Sequence, residues 1–233
     1  MKPMDIHGRM PGRVVVVFGA TGNAGGGAVR ACLDDPGVAE VRAVTRRPLG
    51  VAHAKLREVA CTDFSDLGGI AARFREVDCC LFCLGTSVRN VDGEDEYRRI
   101  HVTYALAAAR AVEDGSPGAT FVYLSGAGAK RTSRMMWARL KAEAEDRLGE
   151  AGLLRLANVR PAAILPMEPG GLNRWLLAPL LKVFPFLGIG ALDLGRAMLR
   201  IGLQGRWHGS RTYENKDLKA VLDGAGVKAL GSS

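Results

Sequence analysis

The sequence predicts an α/β protein in which helices wind both faces of a parallel sheet, with a small C-terminal cap. Three observations predict it. Strand-like and helical segments alternate from residue 13 to about 160. The first run, "RVVVVFG", is apolar throughout, as a strand buried on both faces must be. A glycine-rich turn follows it directly and opens a helix. Such alternation lays strands side by side with helices on either face. No repeat or linker divides residues 1–233, so one domain with a full core is expected.

Taken in order, residues 13–19 form the first strand and "NAGGGAVRACLDD" (23–35) the first helix. "EVRAVTR" (40–46) and "KLREVACTD" (55–63) are the second and third strands. "FSDLGGIAARFR" (64–75) is a helix capped by Ser65 or Asp66. "VDCCLFCLG" (77–85) is the fourth strand, and the alanine-rich 94–115 is one long helix stopped by Gly115. "ATFVYLSG" (119–126) is the fifth strand, 133–152 the next helix and 154–165 the sixth strand. Beyond Pro166 the alternation changes. An apolar helical segment (169–187), a helix (192–204), a strand near 210–213 and a last helix (216–224) are expected to form the cap, within 167–233. Ligands of open α/β sheets bind beyond the carboxyl ends of the strands, where such a cap would sit.

Composition narrows the classes. Hydrophobic residues are 48% and charged residues 24%, proportions that exclude a disordered chain. The net charge of +8 comes from dispersed residues and pairs such as Arg46-Arg47 and Lys130-Arg131. Neither a recognition helix nor an aromatic stacking platform accompanies them, so no nucleic-acid partner is expected. Five cysteines, odd in number and set in apolar runs, suit free thiols in a reducing compartment, and the cytoplasm is the expected location. Cys80 and Cys83 form a lone C-x-x-C without a second pair or nearby histidines, so no metal is expected. Residues 1–12 lack the apolar core of a signal peptide. The apolar stretch 175–194 is interrupted by Pro179, Lys182 and Pro185, which makes it a poor membrane span. It either covers a small apolar substrate or offers a protein partner or membrane surface a contact through 170–190.

The chemistry concentrates at strand ends. In "FGATGNAGGG" the order is G-x-x-G-x-x-G. Gly19 allows the tight turn, Gly22 lets backbone N–H groups approach a pyrophosphate, and Gly25 lets the helix pack against the strand. Thr21, Asn23 and Ala24 complete that phosphate-facing turn. After the second strand, Thr45, Arg46 and Arg47 stand where an NAD-preferring site carries a carboxylate for the ribose hydroxyls. Arginines there suit a 2′-phosphate, which points to NADP(H). Asp63 ends the third strand on the adenine side. Leu84, Gly85 and Thr86 end the fourth on the nicotinamide side, and Ser125 ends the fifth.

These residues resemble a Rossmann-like family, the short-chain dehydrogenase/reductase superfamily, in an atypical form. The sequence is most similar to the branch of the Tat-interacting tumour-suppressor oxidoreductase and its bacterial relatives. The similarity runs from about Val14 to Leu222 and includes "CLGT", "VRP", "RAML" and "ENKDL". The resemblance implies bound NADP(H), with Ser125 orienting a substrate carbonyl and Lys141 holding the nicotinamide ribose. By it, His101 falls where many relatives carry asparagine or aspartate.

One position breaks the pattern. The family places a tyrosine four residues before the lysine, and here that residue is Trp137. An indole N–H only donates and is no acid near neutral pH. Four alternatives stand open. Lys141 itself could carry the proton, or Tyr97, Tyr104 or His101 could supply it; the substrate could need no enzyme proton; or the chain could bind NADP(H) as a non-catalytic sensor or scaffold acting through protein contacts. Catalysis, if present, is expected to centre on Lys141 and Ser125, with an apolar carbonyl or conjugated substrate.

Overall fold

The computed structural model describes residues 12–166, 188–205, 207–224, 226–227 and 230. Its elements in chain order are β1 (Arg13–Phe18), α1 (Asn23–Asp34), β2 (Val38–Thr45), β3 (Leu56–Ala60), β4 (Cys79–Phe82), α2 (Glu94–Arg98), α3 (Tyr104–Gly115), β5 (Thr120–Leu124), α4 (Met136–Gly149), β6 (Arg155–Arg160), β7 (Ala163–Leu165), β8 (Gly188–Gly190), α5 (Ala191–Gln204), β9 (Gly209–Glu214) and α6 (Asn215–Leu222). Seven strands pair in the order β3-β2-β1-β4-β5-β6-β9. Every pairing is parallel, so all carboxyl ends lie along one edge. The order reverses between β1 and β4, which opens the crevice where such sheets bind ligands. The expected Rossmann-like, doubly wound α/β fold is what the chain adopts.

Apolar side chains alternate across the strands and feed two cores. Val15, Val17 and Leu81 face α1 and α5, together with Leu194 and Met198. Val16, Phe18, Phe82 and Tyr123 face the other side, where α3 and α4 contribute Ala105, Ala109 and Leu148. The same alternation separates the cysteines: Cys79 and Cys83 join the first core and Cys80 the second. All five are buried free thiols. Among the described residues no group of three or more metal-ligating side chains gathers, and no helix is long and apolar enough to cross a membrane.

The glycine cluster has two jobs. Gly25 lies against Gly19, whose carbonyl oxygen occupies the place a Cβ on Gly25 would take. Gly27, two residues further along, faces away from the turn. It meets the backbone of Ala191 and of Gly195, where a Cβ on Gly195 would fall 2.5 Å from the Gly27 carbonyl oxygen. Glycine on both helices therefore brings α1 and α5 into backbone contact.

Four segments depart from the sequence-based expectations. Residues 68–74 wind as a 3₁₀ helix instead of an α-helix; Asp66 Oδ1 accepts from the Gly68 N–H at 2.9 Å, and the Gly68-Gly69 pair disfavours α-helix. The long helix 94–115 is interrupted by a π turn at Arg99–Thr103. The sixth strand stops at Arg160 because Pro161 has no N–H to pair, and Ala163–Leu165 pairs instead with Gly188–Gly190. The described part of the expected cap joins the main body: β9 pairs with β6 as the edge of the large sheet, and α5 packs on α1. The apolar segment 169–187 lies outside the described residues.

Substituting alanine for Gly27 should push α1 and α5 apart and cost about 1–3 kcal/mol, as overpacking of a close contact does. Urea unfolding followed by circular dichroism measures it, and an unchanged midpoint would show that the two helices do not pack as described.

Candidate functional site

A small open cleft lies at the carboxyl ends of β1, β2 and β4, lined by Gly19, Thr21, Val44, Thr45, Arg46, Arg47, Phe64 and Leu84. Its floor is the glycine turn. Gly19 has φ +77°, and a Cβ there would stand 2.6 Å from the Leu84 nitrogen, so only glycine admits both the turn and the approach of β4. Gly22 caps α1, its N–H donating to Gly19 O at 2.9 Å. Asn23 and Ala24 begin the helix, whose first amides meet whatever anion enters.

The rim beyond β2 is basic. Thr45 is buried, and its hydroxyl donates to Arg47 O at 2.8 Å, which folds the chain so that Arg46 and Arg47 stand exposed at the cleft. Among the described residues neither arginine pairs with a carboxylate, and no acidic residue lines the cleft. Asp63 is not part of this lining. Its Oδ1 accepts from both the Ser65 N–H (2.8 Å) and the Ser65 hydroxyl (2.6 Å), which hold the carboxyl below its usual range. Its neighbour Phe64 forms the wall, packed on Phe18 and Tyr104. Sequence reasoning passed over Phe64; the aromatic side chain directly after a strand end was the available signal.

The residues fit a dinucleotide. A cradle that a Cβ would fill, open helix amides and two unpaired guanidinium groups together suit a phosphate-bearing ligand.

A second cluster sits along the same sheet edge at β5. Lys141, on α4, is buried; its Nζ donates to Leu124 O at 2.6 Å and lies 4.9 Å from the centre of the Tyr123 ring. Burial lowers its pKa from 10.5 to about 7, opposed in part by the charge of Glu145. Ser125 is the next residue after the carbonyl that Lys141 binds, and its Oγ is buried without a partner among the described residues. Trp137 is half-buried one turn before Lys141, close enough to the loop after Ser125 that a Cβ on Gly126 would be 3.4 Å from its ring. The indole therefore forms a wall over that loop and is not a core side chain.

The π turn supplies the third side. His101 is buried and stacks on Tyr97 with ring centroids 4.0 Å apart. Its Nε2 is 3.2 Å from both the amide nitrogen and the carbonyl oxygen of Thr86, so the imidazole clamps the loop at Gly85–Thr86. Accepting from the amide leaves the proton on Nδ1, which is buried without a partner among the described residues. Burial, helped by the charge of Lys141, lowers the His101 pKa to about 2, and burial raises that of the Tyr97 phenol to about 12. Neither exchanges a proton near neutral pH. Tyr104 packs against Phe64, at the other cluster. Of the alternatives the sequence left open, Lys141 alone combines position with a proton labile at neutral pH.

No family model matches the chain. Over 159 residues it is 28% identical to Protein HTATIP2 of Rattus norvegicus, covering 67% of this chain and 65% of that protein. Protein fmp52, mitochondrial, of Aspergillus clavatus is 28% identical over 155 residues, 64% of this chain and 66% of that one. The chain resembles this atypical branch of the short-chain dehydrogenases/reductases. It spans just under two thirds of the length of these curated relatives. Among solved structures, the Bordetella bronchiseptica enzyme WbmF in complex with NAD+ superposes with TM-score 0.65 at 12% identity, covering 93% of this chain and 79% of that one. An oxidoreductase of the short-chain dehydrogenase/reductase family from Burkholderia thailandensis gives 0.64 at 16% identity, covering 92% and 96%. At these identities the likeness to the solved structures is one of fold.

Lys141 offers a test through stability. An amine whose folded pKa lies below its unfolded value binds fewer protons folded than unfolded between the two, so stability rises with pH across that window. Lys141→Met removes the burial cost and should stabilise the protein by on the order of 2 kcal/mol at low pH. The gain should be largest below pH 7 and shrink as pH rises towards the ordinary lysine value of 10.5. Denaturant unfolding across that range checks it; a gain independent of pH would mean that folding does not lower the Lys141 pKa.

Proposed function

We propose that the chain is an NADP(H)-dependent oxidoreductase of the short-chain dehydrogenase/reductase type, acting on an apolar carbonyl or conjugated substrate without the usual tyrosine. The observation that carries this reading is the pair at the end of β5: a buried serine hydroxyl with no partner among the described residues, beside a buried lysine that titrates near neutral pH. A saturated structural site would leave neither.

In this reading the dinucleotide lies along the sheet edge. Gly19, Thr21, Gly22, Asn23, Ala24 and Gly25 hold its phosphates, and Arg46 and Arg47 take the 2′-phosphate by charge and by stacking. The NAD+ named in the WbmF structure supports a dinucleotide of this class, and the arginines favour the phosphorylated form. Leu84, Gly85 and Thr86 would hold its far ribose together with Lys141, and Asp63 would serve its adenine end. When bound, the nicotinamide gives or accepts hydride. Ser125 Oγ donates to the substrate oxygen, and Lys141 Nζ holds a proton that an oxyanion at that oxygen can take. Trp137 excludes water on one side and gives the pocket an apolar wall. Giving that proton up would leave Lys141 a neutral amine that can still donate to Leu124 O, with no tyrosine between it and the substrate oxygen.

A second reading has its own observation. Trp137 stands at the position of the usual acid, so the chain could bind NADP(H) as a sensor or scaffold that works through protein contacts. Its partner surface would be sought in 170–190. Five buried free thiols favour a reducing compartment such as the cytoplasm for either reading.

Titration calorimetry tests the cofactor assignment: NADPH should bind at least about tenfold tighter than NADH, and Arg46→Glu should remove that preference. Tighter binding of NADH by the unaltered chain would sink it. Trp137→Tyr separates the two readings. Faster carbonyl reduction in the variant marks an oxidoreductase site lacking its acid, whereas no turnover in either protein favours the sensor.

A further inference from the structure

Lys141 is buried, and so is Glu145 one turn later on the same helix, each only 7% exposed. Opposite charges at that spacing ordinarily pair with each other. Here they do not. The Glu145 carboxylate is held by Arg160 at the end of β6, with Nε donating to Oε1 at 2.9 Å and Nη2 to Oε2 at 2.5 Å. The remaining nitrogen of Arg160 donates to Glu214 Oε1 at 3.0 Å, so the guanidinium is fixed between α4 and the edge strand β9. Lys141 is left with a carbonyl and a ring face, Leu124 O and Tyr123.

We propose that Arg160 is a positioning residue for Lys141: by gripping Glu145 it withholds that carboxylate from the amine and so keeps the amine's proton labile. The inference deepens the reading of Lys141 as the proton-carrying group of the site and rests on it. A tie between α4 and β6 could be made by any bonded pair. A tie that uses up the charge nearest a buried amine also sets the state of the amine.

The groups that face Lys141 are few. Glu145 lies on its own helix, Cys83 follows β4, His101 comes from the π turn and the Tyr123 ring from β5. Tyr97 stands behind His101, and Arg160 and Glu214 behind Glu145. Cys83 is raised to about 12 and His101 lowered to about 2, both chiefly by burial, so neither changes charge when Lys141 does. Among the described residues Glu145 is thus the one facing group whose charge can be altered through a neighbour.

The experiment follows Lys141 itself. In the cofactor-free chain with labelled lysine, the side-chain ¹³Cε signal absent from Lys141→Arg identifies Lys141, and its pH titration gives the midpoint. Glu145→Gln, which keeps the shape and removes the charge, should lower that midpoint by about one pH unit. Arg160→Gln, which frees the carboxylate, should raise it by about as much. An unmoved midpoint in Glu145→Gln overturns the proposal even if Arg160→Gln fails to fold, and so does an unmoved or lowered one in a folded Arg160→Gln. The readout needs no turnover. A midpoint in the unaltered chain near the ordinary lysine value of 10.5 would instead defeat the role given to Lys141 in the proposed function.

Discussion

The contact between Gly25 and Gly19 governs the arrangement of everything above the sheet. Because no side chain separates them, α1 starts directly over the end of β1, and its first amides point across the strand ends. That position brings Gly27 to the surface that α5 must meet, and glycine recurs on α5 at Gly195 to accept it. One layer of helices is therefore set by backbone contact and not by side-chain size. Any widening at the turn would carry α1, then α5, away from the strand edge where β4 approaches Gly19.

Electrostatics organise the opposite layer. The buried groups there are satisfied in pairs: Glu145 with Arg160, His101 with Thr86, Lys141 with a carbonyl. Among the described residues four buried side-chain atoms keep no partner: Glu113 Oε2 and Asn158 Oδ1, and, beside Lys141, Ser125 Oγ and His101 Nδ1. Leaving a buried polar atom unbonded costs free energy. Two of the four flank the amine that burial has brought near its neutral form, which is why the β5 end reads as a place for chemistry.

Much of this was legible in the residues. An unbroken apolar run followed by G-x-x-G-x-x-G has few other physical uses, so β1, α1 and the crevice beside them could be placed from the sequence. The lack of a carboxylate after β2 was equally plain, because Arg46 and Arg47 occupy the place where one would stand. Other features depend on tertiary neighbours that periodicity cannot display. "GSRTYE" reads as a short polar strand and could belong to a cap; only its pairing with β6 makes it the sheet edge. What Gly27 approaches was hidden in the same way, because its partner, Gly195, lies far along the chain. Glu145 and Arg160 resemble ordinary surface charges until the fold buries Glu145 on the helix that carries Lys141 and brings Arg160 to it. Phe64 was overshadowed by Asp63, whose carboxylate the Asp63–Ser65 turn claims.

The π turn between α2 and α3 carries one further meaning. A π turn takes up one residue more than an α turn, so it absorbs that residue while the helical halves it joins keep the faces they would have without it. Tyr97 and His101 straddle its beginning, and the Tyr123 hydroxyl binds the His101 carbonyl oxygen from below at 3.1 Å. The helix is in this sense a phased part. Loss of a single residue between 99 and 103 would let it close to a regular spiral with both halves still in phase, whereas the same loss further along α3 would rotate one part of the helix against the other by roughly 100° around the axis. A change of length by one residue is therefore absorbed at the π turn and not in the regular turns that follow it.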